Sequence, residues 1–122
     1  MRRLLAALLL TAAAALPAAA GEADVVAVAV ERHPGTEDMF DFRVTVLSND
    51  RDASYYADAI EILGPDGSVL SRHELPRPQT EQPFTHELSD MRVPVGIQRV
   101  TVRVHHKPRG YDGQTVSIQL PR

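Results

Sequence analysis

The chain has 122 residues, 16 acidic and 13 lysine or arginine side chains, a net charge of −3, and neither cysteine nor tryptophan. Without cysteine there is no disulfide framework, thiolate metal site, thiol nucleophile or cysteine-linked lipid, so packing alone must hold the fold. The acidic balance argues against nonspecific binding to nucleic acid or to an anionic membrane surface.

Residues 1–20 read as an export leader. Arg2 and Arg3 precede an apolar run over residues 4–16, followed by Pro17 and the small residues Ala18, Ala19 and Ala20. The run is shorter than the roughly 20 residues that span a bilayer, and Ala18 and Ala20 supply the small-x-small pattern of a peptidase site. Cleavage is expected after Ala20, so that the mature chain begins at Gly21. Every acidic residue lies beyond the leader, which makes the mature domain more acidic than the whole chain. Arginine supplies almost all the basic residues, Lys107 being the single lysine, a bias associated with GC-rich bacterial genomes.

About a hundred residues remain, which suits one domain, 21–122. Apolar residues alternate with period two, and no stretch sustains a helical stripe. The first strand, 24–31, has Val26, Val28 and Val30 on one face and Val25, Ala27 and Ala29 on the other. His33-Pro34-Gly35 ends it. The second, 39–48, turns Phe40, Phe42, Val44 and Val46 inward. A third runs over 55–63 with Ile60 and Ile62 inward, and Gly64-Pro65-Asp66-Gly67 makes a tight turn into a fourth at 69–74. Pro76, Pro78 and Pro83 forbid regular pairing across 75–83. A fifth strand carries Phe84, His86 and Leu88. A sixth points Val100, Val102 and Val104 inward and Thr101, Arg103 and His105 outward, and a seventh, 114–120, uses Val116, Ile118 and Leu120.

Seven short strands with a turn every 8 to 12 residues are the pattern of an all-β, antiparallel β-sandwich of immunoglobulin or fibronectin type III kind. The segments Tyr56-Ala57-Asp58-Ala59-Ile60-Glu61-Ile62, Gly64-Pro65-Asp66-Gly67, Glu81-Gln82-Pro83-Phe84-Thr85 and Gly110-Tyr111-Asp112-Gly113, with the ending Val116-Ser117-Ile118-Gln119-Leu120-Pro121, together resemble small exported bacterial Ig-like proteins of unassigned activity. The resemblance implies the sandwich fold and carries over no catalytic residue.

In such a sandwich the second-to-third and sixth-to-seventh connections share one end. That rim holds the candidate binding residues: Asn49, Asp50 and Asp52 on one loop, and His106, Lys107, Arg109, Tyr111 and Asp112 on the other. An acidic loop then faces a basic one, and loops on a rigid scaffold are where binding residues sit. Five histidines raise a zinc or copper alternative, with His105 and His106 as the named pair. Adjacent strand residues face opposite ways, however, so those two converge only if the strand has already ended. The chain lacks a G-x-S-x-G elbow and a glycine-rich phosphate loop, so no catalysis and no cofactor are expected. The expected function is a non-catalytic, exported binding or structural module of the envelope, periplasmic or extracellular, whose partner is another envelope protein. Neither nucleic acid nor a membrane span in the processed chain is expected.

Overall fold

Alternation becomes eight strands in the computed structural model, which describes residues 10–14 and 21–122. They are β1 (Leu10–Ala14), β2 (Ala23–Arg32), β3 (Met39–Ser48), β4 (Tyr56–Leu63), β5 (Val69–Glu74), β6 (Phe84–Arg92), β7 (Arg99–Lys107) and β8 (Val116–Gln119). Two four-stranded antiparallel sheets result, ordered β1-β2-β3-β6 and β5-β4-β7-β8. No helix occurs among the described residues. Arg2, Arg3 and the Ala18-Ala20 pattern lie outside them.

The inward rows of both sheets meet in one core. Phe40, Phe42, Val44 and Val46 of β3 and Leu88 of β6 face Ile60 and Ile62 of β4, Val100, Val102 and Val104 of β7, and Val116 and Ile118 of β8. Phe40 and Phe42 are the bulkiest of these, and their burial makes β3 the centre of the apolar contribution.

Two expectations are corrected. There are eight strands rather than seven, because Leu10–Ala14 pairs antiparallel with β2 in addition to the seven expected ones. On β2 the register shifts between Val25 and Ala27, a bulge that takes Val26 out of the inward row and puts Val25 there with Val28 and Val30. A bulge of one residue exchanges the faces on either side of it, and strict period-two reading cannot anticipate that.

The Gly64–Gly67 turn forms as expected. Gly67 has φ +86°, its amide donates to Gly64 O at 3.0 Å, and Asp66 Oδ1 accepts from Ser68 N and Oγ. At one end of the fold Arg122 donates to the carbonyls of Glu37, Val93, Pro94 and Ile97, which spends its guanidinium on backbone. An open cavity of about 320 Å³ beside it is lined by Arg32, Glu37, Val95, Gln98 and Arg122.

Candidate functional site

At the expected rim the β3–β4 and β7–β8 connections do meet. His106, fully buried, sets its Nε2 3.2 Å from Asn49 O, and its ring lies edge-on to Tyr55 with centroids 4.5 Å apart. A carbonyl only accepts, so Nε2 carries the proton, and the buried Nδ1 has no hydrogen-bond partner. Glu22, at the entry to β2, joins both loops. Its Oε1 accepts from Tyr55 Oη at 2.5 Å and Asn49 Nδ2 at 3.0 Å, and its amide donates to Asp112 Oδ1 at 3.1 Å. The Tyr55 hydroxyl and then the Asn49 amide hold the Glu22 carboxyl below its ordinary range, while Glu22 in turn raises the Tyr55 hydroxyl.

The acidic loop does not oppose the basic one through its aspartates. Asp50 turns in and clasps three segments, its Oδ1 accepting from Ser48 Oγ at 2.7 Å and Ala57 N at 3.0 Å, and its Oδ2 from Gln79 N at 2.8 Å. Asp52 closes its own turn on Ser54 N and Oγ. Lys107 and Arg109 are exposed, with Arg109 Nε 3.6 Å from Asp112 Oδ2. Tyr111 leaves the rim altogether and lies on the outer face of the β5-β4-β7-β8 sheet, where its hydroxyl donates to Glu61 Oε2. Asn49, His106 and Asp112 therefore come together with Glu22 and Tyr55, two residues the sequence reading did not include. Asp50, Asp52 and Tyr111 serve elsewhere.

The named pair His105 and His106 does not converge. His105 faces outward with Nδ1 2.5 Å from Asp58 Oδ1, and His106 faces inward. His86, half-buried on the core side of β6, has its imidazole pushed down by desolvation and then by His73. A different group gathers where β2 ends: His33 Nε2 is 2.7 Å from Asp41 Oδ1 and 3.4 Å from Asp90 Oδ1. These three side chains offer ligand atoms within 4.8 Å of one another. Asp90 stands at φ +59°, and its amide donates to Asp41 Oδ1 at 3.0 Å. The Asp41 hydrogen bond raises the His33 imidazole. Asp90 is 49 residues from Asp41, and the register shift between Phe40 and Phe42 beside Asp41 leaves no sequence signal.

The edge of β2 is a second candidate. Leu10–Ala14 lies along it in five antiparallel pairs, from Leu10↔Glu31 to Ala14↔Ala27. Ala13 packs against the core, and Thr11 Oγ1 reaches across to Gln119 O of β8 at 2.8 Å. The slot between β2 and β8 thus holds an extended segment with small side chains at the inward positions.

No family model matches the chain, and no solved structure matches it. The chain is similar to a protein of Halomicrobium mukohataei named "Putative lipoprotein", with 33% identity over 97 residues, which is 80% of this chain and 47% of that protein. The chain therefore spans about half the length of the curated relative it matches.

Proposed function

We propose that this is an exported, envelope-associated, non-catalytic module with a fibronectin type III-like sandwich, and that it takes up an extended partner segment along the edge of β2. The relative's name supports the compartment. None of the 122 residues is cysteine, so the chain given offers no thiol for a lipid. The topology supports the fold type: β5 returns to β4, beside β7 and β8, instead of joining β2, β3 and β6 as the fourth strand of an Ig constant domain does.

The observation that carries the binding role is the strand already seated on β2. Leu10–Ala14 belongs to the stretch read as a leader, and its removal leaves residues 27–31 of β2 without a neighbour on that side. An open edge offers unpaired backbone groups to an incoming strand, and small inward side chains such as Thr11 and Ala13 define what fits. Photo-crosslinkers at Ala27 and Ala29 of the exported protein in its native envelope test this. Adducts to one partner at both positions, and none from the outward-facing Val69 on β5, are the expected result. Equal or absent labelling at all three sites overturns it.

A second reading, a divalent metal bound by His33, Asp41 and Asp90, has their convergence in its favour. It replaces His105 and His106 as the metal alternative, because that pair points to opposite sides of β7.

A further inference from the structure

Asp24, on β2, is 4% exposed and forms no ion pair with any cationic side chain among the described residues. Its Oδ1 accepts from Gln114 N at 2.7 Å and from Gly21 N at 3.0 Å. Two backbone N–H groups meet the carboxylate there, and a cation in place of one of them would add a charge-assisted bond. Gly21 N is also the atom that cleavage after Ala20 would release as a free amine.

From this coincidence we infer that removal of the leader builds a binding site for the new N-terminus, in which the α-ammonium of Gly21 pairs with Asp24. Water adds across the Ala20–Gly21 amide bond. The acyl carbon leaves with the leader as a carboxylate, and the nitrogen takes up protons to become –NH3+ beside Asp24 Oδ1. Before cleavage the same nitrogen is a neutral amide with a single hydrogen. Processing therefore supplies the cation that no side chain among the described residues provides.

The surroundings keep the amine in place. A Cβ on Gly21 would stand 2.4 Å from Asp112 O and 2.6 Å from Gly113 Cα, so only glycine fits there as the first residue. Gly113 is packed still more tightly, against Ala23 O, and Glu22 is tied to Asp112, Asn49 and Tyr55. The new terminus is thus inserted under the β7–β8 loop at the rim, and its pairing with Asp24 couples leader removal to the ordering of that loop. The inference shares with the proposed function only the expectation of export with cleavage, and it is independent of strand addition at β2.

The test uses the full-length chain, exported and recovered from the envelope fraction, with its N-terminus read by mass spectrometry. An amine-acylating reagent is applied over a range of pH, and labelling of the Gly21 α-amine and of Lys107, the two amines of the processed chain, is quantified by peptide mass. In the folded protein the α-amine midpoint is expected at least one pH unit above the ordinary value of about 8, so that at least about fivefold less amine is reactive at pH 8 than in the same protein unfolded. Asp24→Asn, and separately insertion of one threonine ahead of Gly21, which is not the small residue the last leader position requires and so leaves cleavage after Ala20, are each expected to bring the midpoint back to the unfolded value. The insertion keeps the test decisive if Asp24→Asn does not fold. A mature chain beginning elsewhere than Gly21, equal midpoints folded and unfolded, or a raised midpoint that survives the insertion overturns the inference.

Discussion

The Tyr111 hydroxyl donates to Glu61 Oε2 at 2.9 Å from a loop 50 residues further along the chain. Glu61 is nearly buried, with 4% of its side chain exposed, and holds Arg72 on one oxygen at 2.6 Å and Arg103 on the other at 2.7 Å. The Arg103 guanidinium also lies 3.7 Å from the centre of the Tyr111 ring. One carboxylate therefore joins β4, β5, β7 and the β7–β8 loop on the outer face of its sheet.

Glu61→Gln keeps the shape and removes the charge, leaving two guanidinium groups without their shared partner. Breaking a buried pair costs about 3–5 kcal/mol, and the partial exposure of Arg72 and Arg103 reduces this to about 2 or 3. Urea unfolding should show that loss, and Tyr111→Phe should cost about 1.5 kcal/mol, the low end for a hydrogen bond to a charged acceptor because Tyr111 is partly exposed. Burial alone would raise the Glu61 carboxyl, but hydrogen bonds from Arg72, Arg103 and Tyr111 outweigh it and hold it below its ordinary range. With the folded value depressed, this contribution is present above the unfolded pKa of about 4.3 and is lost as the pH falls through the folded value. Glu61→Gln should therefore flatten the acid side of the stability profile. A profile unchanged by the substitution contradicts the assignment.

Glycines 113 and 67 separate a packing demand from a backbone demand. A Cβ at Gly113 would lie 1.6 Å from Ala23 O, so backbone must move, whereas Gly67 has open space around it and only its φ of +86° to resist a side chain. Gly67→Ala should cost about 1 kcal/mol through the left-handed backbone. Gly113→Ala should cost about 3 kcal/mol or more through overpacking and displacement of the Asp24 region. Equal losses in urea midpoint show that the chain at Gly113 has room the structure denies it.

How much of this was legible follows from periodicity. The inward rows of β3, β7 and β8 are strictly alternating, and Phe40, Phe42, Val100, Val102, Val104, Val116 and Ile118 are all in the core. Alternation failed at Val25 and Val26, because a bulge changes register without changing composition. The shared end of the two rim loops was legible from the strand count. The use of Asp50 and Asp52 was not, since aspartate is equally suited to facing a cation and to accepting backbone amides, and only the fold decides which donors arrive. Arg103 reads as an ordinary outward residue, and nothing local marks that it will share Glu61 with Arg72 or that Tyr111 will cover them. The same holds for Asp24, whose lack of a counter-ion becomes visible only once Gly21 and Gln114 are beside it.

His33 offers a pH test on the opposite side of neutrality. Its imidazole is raised first by the hydrogen bond it donates to Asp41 and further by the charges of Asp41 and Asp90. A histidine whose folded value exceeds the unfolded one contributes stability fully below about pH 6.5 and loses it as the pH rises through the folded value. The proton NMR titration of His33 should accordingly lie above that of a free histidine and move down in Asp41→Asn. A titration already at the ordinary value dissolves the pair as a feature of the solution structure.

The same proton decides between the two functional readings. His33 Nε2 is the nitrogen directed at Asp41 and Asp90, and a zinc ion entering there must displace the hydrogen that Asp41 holds on it. A specific metal at a hundredfold excess over its Kd stabilises the folded state by about 2.7 kcal/mol. For a domain of this size each kcal/mol moves the melting midpoint by about 4–8 °C, so occupancy of a real site is a shift of more than about 10 °C. On the strand-binding reading, micromolar zinc or copper(II) gives no saturable rise. Joint replacement of His105 and His106 by alanine is expected to lower the midpoint, because His106 is fully buried between Asn49 and Tyr55, while leaving the response to metal as it was. A saturable rise that disappears in Asp41→Asn reverses the order of the two readings and makes His33, Asp41 and Asp90 the functional site. A rise that disappears only when His105 and His106 are replaced requires β7 to end earlier in solution than at Lys107, since no shorter path brings those two imidazoles to one ion.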